Sequence, residues 1–279
     1  FSAVNLWAVD VRVIKIYRSN ILYYLQSNSL GNDYQNEIRR FGRVIIQKQI
    51  RLDTDKSLNL SQWNFFSIDL STLFKQDPGA MYIVQLDMKQ EYSLYRCGGM
   101  KPQVPSNTSM RDFNQLSDEE QARWDVPESD YYDDFDWYNY NWEERDDPCK
   151  ASYYMNNNRR VQSVVMASNL GIIAKGSSDG RMFVAVTDIL TTKPVSGAEV
   201  TIYNYQMQPV GNGKTDGDGF VEMETGNTRP FVLKVEKGKD TGYLEVKEEA
   251  SLSLSNFDVR GKEIQKGLKG YLYGERGVR

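Results

Sequence analysis

The sequence predicts an all-β protein: antiparallel sandwiches in tandem, joined by an irregular segment rich in acidic and aromatic residues. Three observations carry that expectation. Apolar and polar residues alternate with period two in many short stretches, as along a strand with unlike faces. Clusters of Gly, Asp, Asn and Pro punctuate those stretches at the lengths that turns require. Aromatic residues make up 12% of the chain and include 18 tyrosines, a bias common in half-exposed sheets.

Residues 1–97 read as a first sandwich. Val9, Val11 and Val13 alternate with polar or charged positions, and an apolar, Tyr-rich run continues over residues 14–26. Val44, Ile46, Ile50 and Leu52 are expected on one strand face, with Lys48 the single interruption. Tyr82, Val84, Leu86 and Met88 alternate against Ile83, Gln85, Asp87 and Lys89, after an Asp77-Pro78-Gly79 turn. Such patterning predicts sheets with one wet face each. A short helix is expected within residues 31–40.

Residues 98–160 change character. Thirteen acidic and two basic residues lie between Asp118 and Asp147, a net of −11 in a chain of net charge −4. Trp124, Trp137 and Trp142 lie here together with Tyr131, Tyr132, Phe135, Tyr138 and Tyr140. Ser117 and Glu120 have capping-box spacing, which predicts a helix over 117–124. Disordered segments are depleted in aromatic residues, so the segment reads as an ordered strap whose rings dock on the sandwiches while its carboxylates face water. These eight rings form the candidate interaction surface. The rival reading is an exposed segment that binds a partner or calcium, although no calcium loop spacing is present.

Residues 161–250 read as a second sandwich, with strands over 161–167, 171–175, 181–187, 198–205, 220–224, 231–236 and 243–247. Its expected turns are Ser178-Asp179-Gly180, Asn212-Gly213 and Asp216-Gly217-Asp218-Gly219. The last resembles part of an EF-hand loop but has no glutamate at the required downstream position, so a tight turn is expected. Residues 251–279 read as a linker followed by the opening strand of a further domain. Asn59-Leu60-Ser61 and Asn107-Thr108-Ser109 match the N-glycosylation sequon, a weak signal.

Composition excludes several function classes. The near balance of charge lacks the basic footprint of a nucleic-acid binder. No apolar run approaches the length of a bilayer span. Histidine is absent, which removes Ser-His-Asp and Cys-His arrangements and the usual zinc sites. The acidic residues read as a solvated charge run, so no catalytic residue, metal site or cofactor is expected. The chain starts with Phe1 and shows no signal peptide; if the protein is exported, its targeting segment has been removed or lies outside this sequence. Cys97 and Cys149, the only cysteines, flank the irregular segment. They are either unrelated thiols or a disulfide; a disulfide is favoured, since it would tie that segment down in an oxidising compartment.

Five motifs carry a resemblance: NLGIIAK (169–175), VAVTDILTTKPVSGAEVTIYN (184–204), TDGDGFVEM (215–223), SLSLSNFDV (251–259) and GLKGYLYGERGVR (267–279). They resemble the macroglobulin-like domains of the alpha-2-macroglobulin family, in particular its large bacterial members. FFSIDLSTLF (65–74) and PGAMYIVQL (78–86) extend the resemblance less specifically, and DPCKASYY (147–154) partially. The family implies tandem seven-stranded, fibronectin III-like sandwiches in an inhibitor that encloses a protease after its bait segment is cut. Many members carry a Cys-Gly-Glu-Gln thioester. Here Cys97 precedes Gly98-Gly99-Met100 and Cys149 precedes Lys150-Ala151, so neither thioester nor bait can be assigned.

The resemblance thus implies a non-catalytic scaffold portion of a protease-trapping inhibitor in the periplasm or at the cell envelope, with a lipid anchor open. Its partners would be proteases, through the whole protein, and neighbouring macroglobulin-like domains. The alternative is a cell-surface adhesion or glycan-binding module, to which exposed Trp and Tyr would suit.

Overall fold

The computed structural model describes residues 1–30, 37–99, 118–127, 139–155, 159–177 and 180–246. Residues 251–279 therefore lie outside the described part, as do Ser117 of the expected capping box and the sequon at Asn107. The fold is mostly strand, and every pairing among the described residues is antiparallel.

The first sheet combines β2 (Ala8–Ile16), β3 (Gly42–Arg51), β5 (Met81–Asp87) and β6 (Val161–Met166) in the order β3-β2-β5-β6. A two-stranded ribbon pairs β1 (Ser2–Ala3) with β4 (Asn64–Phe65). The expectation that 161–167 opens the second sandwich is corrected here. Val161 pairs with Leu86 and Met166 with Met81, and the Gln85 side-chain amide donates to Gln162 Oε1 at 3.0 Å. Val164 and Met166 pack against the core beneath this sheet. Strand composition specifies a strand but not its partner, and the partner is set by that burial.

Both faces of the first sheet are covered, where one wet face was expected. Ile14, Ile16, Met81 and Ile83 form one core with Ile21, Tyr24, Leu25, Phe41, Val232 and Tyr243. On the opposite face Val9, Val11, Val13 and Tyr82 pack with Ala3, Leu52 and Ala80, with Phe66, Ile68, Leu73 and Phe74 beside them. The run over 14–26 is not one strand: β2 ends at Ile16 and α1 (Ile21–Ser27) follows a 3-10 turn. Its buried Ile21, Tyr24 and Leu25 have the i, i+3, i+4 spacing of one helix stripe. Within the helix expected over 31–40, residues 38–40 belong to α2 (Ile38–Phe41) and residues 31–36 lie outside the described part.

A register shift also corrects the expected face of β3. Val13 pairs with Ile46 and Ile14 with Val44, leaving Ile45 as an extra residue. The bulge turns Val44 towards the α1 side, while Ile46, Ile50 and Leu52 stay on the opposite face. Strict alternation would have kept all four together.

The second half is a seven-stranded sandwich. One sheet is β11-β8-β7, from β7 (Leu170–Gly176), β8 (Arg181–Asp188) and β11 (Phe220–Glu224). The other is β10-β9-β12-β13, from β9 (Glu199–Tyr203), β10 (Pro209–Lys214), β12 (Val232–Lys237) and β13 (Asp240–Glu245). The number seven agrees with the strands read from sequence, but β10 replaces 161–167. Asn212-Gly213, expected as a turn, lies inside β10. Gly211 and Gly213 are there for close approach: a Cβ on Gly211 would meet Glu224 O at 2.9 Å, and one on Gly213 would meet Val221 Cγ2 at 2.7 Å. Asp216–Gly219 is a turn, in which Asp216 Oδ1 accepts from the backbone N–H groups of Asp218 (3.0 Å) and Phe220 (2.9 Å).

Candidate functional site

The acidic segment leaves the first sheet shortly after β5 and returns just before β6. Cys97 and Cys149 close it as a disulfide with Cα atoms 5.5 Å apart. Within it, α3 (Asp118–Trp124) accounts for the described residues of the helix expected over 117–124. Trp124 packs against the core that contains Tyr24 and Ile83, and the Arg39 guanidinium lies 6.0 Å from its ring centroid. Asp125 pairs with Arg43 of β3 at 3.0 Å. This end of the segment therefore docks by a ring and a carboxylate.

The returning end has its own local order. The Asn141 side chain caps a 3-10 turn at Trp142–Glu144 by accepting from Glu143 N at 3.0 Å. The Asn141 N–H donates to the buried Ser152 hydroxyl at 2.8 Å, on α4 (Ala151–Met155). Lys150 pairs with Glu144 at 3.1 Å, and the Tyr154 hydroxyl donates to Pro148 O at 2.7 Å. Burial pushes that hydroxyl above its ordinary pKa. Tyr140 and Trp142 meet edge to face at 5.1 Å, with Arg145 5.8 Å from the Trp142 ring. Trp142 remains 57% exposed. Of the eight expected rings, then, Trp124 turns inward and Tyr140 pairs with an exposed Trp142. Tyr131, Tyr132, Phe135, Trp137 and Tyr138 lie outside the described residues. Among the described residues no group of three or more His, Cys, Asp or Glu side chains is arranged to hold a metal ion.

Residues 167–264 match the family model described as the bacterial alpha-2-macroglobulin MG3 domain. Over 124 residues, 41% of this chain, the sequence is 29% identical to the alpha-2-macroglobulin of Pasteurella multocida strain Pm70 and equally to an alpha-2-macroglobulin homolog of Yersinia pestis. The similarity of this chain is thus to bacterial alpha-2-macroglobulins, over part of its length. The chain spans only 6% of the length of either relative. The fold is also similar to a crystal structure of Escherichia coli alpha-2-macroglobulin spanning domains NIE-MG1, with a TM-score of 0.50 and 12% identity, over 88% of this chain and 86% of that one.

The ion pair of Asp125, just after α3, with Arg43 of β3 ties the acidic segment to the sheet. Sequence reasoning did not single out the large apolar side chains that face water elsewhere: Trp63, Phe65, Ile173, Leu190 and Phe220. The signal for two of them was present, because Ile173 and Phe220 occupy the outward parity of strands whose inward positions were already apolar. No helix of the described residues is long and apolar enough to cross a membrane.

Proposed function

We propose that this chain is a non-catalytic scaffold portion of a protease-trapping inhibitor of the alpha-2-macroglobulin type. The observation that carries the proposal is the family match over the second sandwich, within a fold like that of a known member over most of the chain. The role that suits the geometry is support. Two β units share a core, and the segment inserted between β5 and β6 of the first is clamped by a disulfide, so the pair can act as a support for other parts of a larger polypeptide. Inhibition of an endopeptidase, by enclosing it after a bait is cut, would belong to the whole protein. We further propose that the first macroglobulin-like unit comprises 1–166 and the second begins at Ala167, since β6 completes the first sheet. An oxidising location such as the periplasm or cell envelope is supported by the disulfide.

The test compares the full-length polypeptide with this chain alone, each incubated with trypsin. The full protein should abolish cleavage of casein while sparing a small chromogenic peptide, because an enclosed protease still admits small substrates. This chain alone should leave both activities unchanged. Inhibition of both substrates by the full protein, or of either by this chain, would overturn the reading. Exposed Trp142 keeps glycan binding as the second reading. Retention on a polysaccharide column that is lost in Trp142→Ala would favour it.

A further inference from the structure

The outward face of the three-stranded sheet β11-β8-β7 is apolar at its centre. Its inward residues Met182, Val184, Val186 and Met223 are buried, so by alternation the next positions point out. The register places Phe220, Ala185 and Ile173 directly across from one another. Phe220 is 56% and Ile173 71% exposed. Two residues along β8, exposed Phe183 sits between Glu222 and Lys175. In the other direction the row continues through Thr187 and Gly171, and the Ile189 side chain comes within 3.3 Å of where a Cβ on Gly171 would stand. Leu190 adjoins it, 75% exposed. The row Phe220–Ala185–Ile173 is apolar from edge to edge of the sheet, and a free-standing domain rarely leaves a large apolar patch in water.

We propose that this face is a docking surface for another folded domain of the same polypeptide. The proposal rests on the scaffold reading above. Chain length favours that occupant, since this segment spans 6% of each curated relative and leaves most of a relative's length to supply the cover. Charge supports it as well. Arg181 pairs with Glu222 at 2.9 Å beside Phe183, so these charges already satisfy each other at the rim and a partner need cover only the exposed apolar centre, the pattern of a protein–protein contact. A glycan would need hydrogen-bonding groups among the rings, and Phe220, Ala185 and Ile173 offer none.

The experiment places the photo-crosslinking residue p-benzoylphenylalanine at Phe183 in the full-length polypeptide in its own host. Illumination should join position 183 to residues outside 1–279 of the same molecule, as read by mass spectrometry. The double variant Ile173→Lys, Phe220→Lys should lose that cross-link; both side chains are exposed, so an unchanged thermal transition checks that folding is intact. Cross-links between two copies, cross-links to a different protein, no cross-link, or an undiminished cross-link in the folded double variant would each overturn the proposal. The same unilluminated protein is assayed for protease capture. Capture without the cross-link sinks the docking surface alone, and the cross-link without capture sinks the trap reading alone.

Discussion

Single side chains show how polar groups are kept inside this all-β unit. Asp53 is 8% exposed and is held by Arg51 through two hydrogen bonds of 2.7 Å and by Lys56 at 3.1 Å. Arg51 also lies 5.3 Å from the Trp7 ring centroid. The Arg51 bonds, with Lys56 assisting, lower the Asp53 pKa from an ordinary 3.8 to about 2. Because the folded pKa is the lower one, the contribution is complete above about pH 4 and fades as pH falls towards 2. A shift of that size corresponds to roughly 2 kcal/mol. Asp53→Asn should therefore lower stability at pH 7 by about 1–2 kcal/mol, with the gap to wild type shrinking steadily between pH 4 and pH 2 in denaturant titrations. A gap independent of pH would rule out this account. Asp10 is buried in a comparable way, accepting from the Tyr92 hydroxyl at 2.7 Å and pairing with Lys89 at 2.6 Å. Burial first, then Asp10, pushes the Tyr92 hydroxyl well above the usual range.

At the level of elements, local signals were legible and long-range ones were not. The alternation of Tyr82–Leu86 located β5, and the apolar positions of β8, β9 and β12 located three strands of the second sandwich. The sequence could not say that β6 belongs to the first sheet, because pairing partners 75 to 85 residues apart leave no local trace. β10 was hidden because Asn212-Gly213 read as a turn; the need for glycine at 211 and 213 is a neighbouring strand, visible only once the sheets are stacked. Gly211→Ala tests that point. Its Cβ would press on the backbone oxygen of Glu224, so a loss of about 1–3 kcal/mol is expected from overpacking, read as a lower unfolding midpoint. A neutral or stabilising effect would mean that the two strands can separate freely at that corner. For the candidate interaction surface, the sequence indicated a ring-rich segment and a helix near Trp124. It did not separate the inward Trp124 from the exposed Trp142, since both are tryptophans among carboxylates and only burial distinguishes them.

At the scale of the molecule, residues 1–245 form one compact unit. Val232 and Tyr243 of the second sandwich complete the core beneath the first sheet. Arg18 donates to the Thr241 hydroxyl and lies 3.6 Å from Glu236, and the Leu30 N–H donates to Glu245 at 3.0 Å. Gly79, in a left-handed turn with φ of 74°, approaches so closely that a Cβ would stand 2.7 Å from Thr241 N. A shared core predicts one cooperative thermal transition, with calorimetric and van't Hoff enthalpies equal, and Gly79→Ala should lower that single midpoint. Two resolved transitions would show that the halves unfold independently. The disulfide adds a different kind of tie. Closing a separation of 52 residues stabilises by roughly 4 kcal/mol in the chain-entropy model, so Cys97→Ser with Cys149→Ser should lose up to about that much in denaturant titrations. Its position has another effect on a protein proposed to meet proteases. The last strand of the first sheet and the whole second sandwich lie beyond the clasp, so any cleavage within residues 98–148 leaves both pieces joined through sulfur. On a gel, such a product would run as one band until reduced and as two afterwards; a cut there changes the number of chain ends without changing the number of molecules.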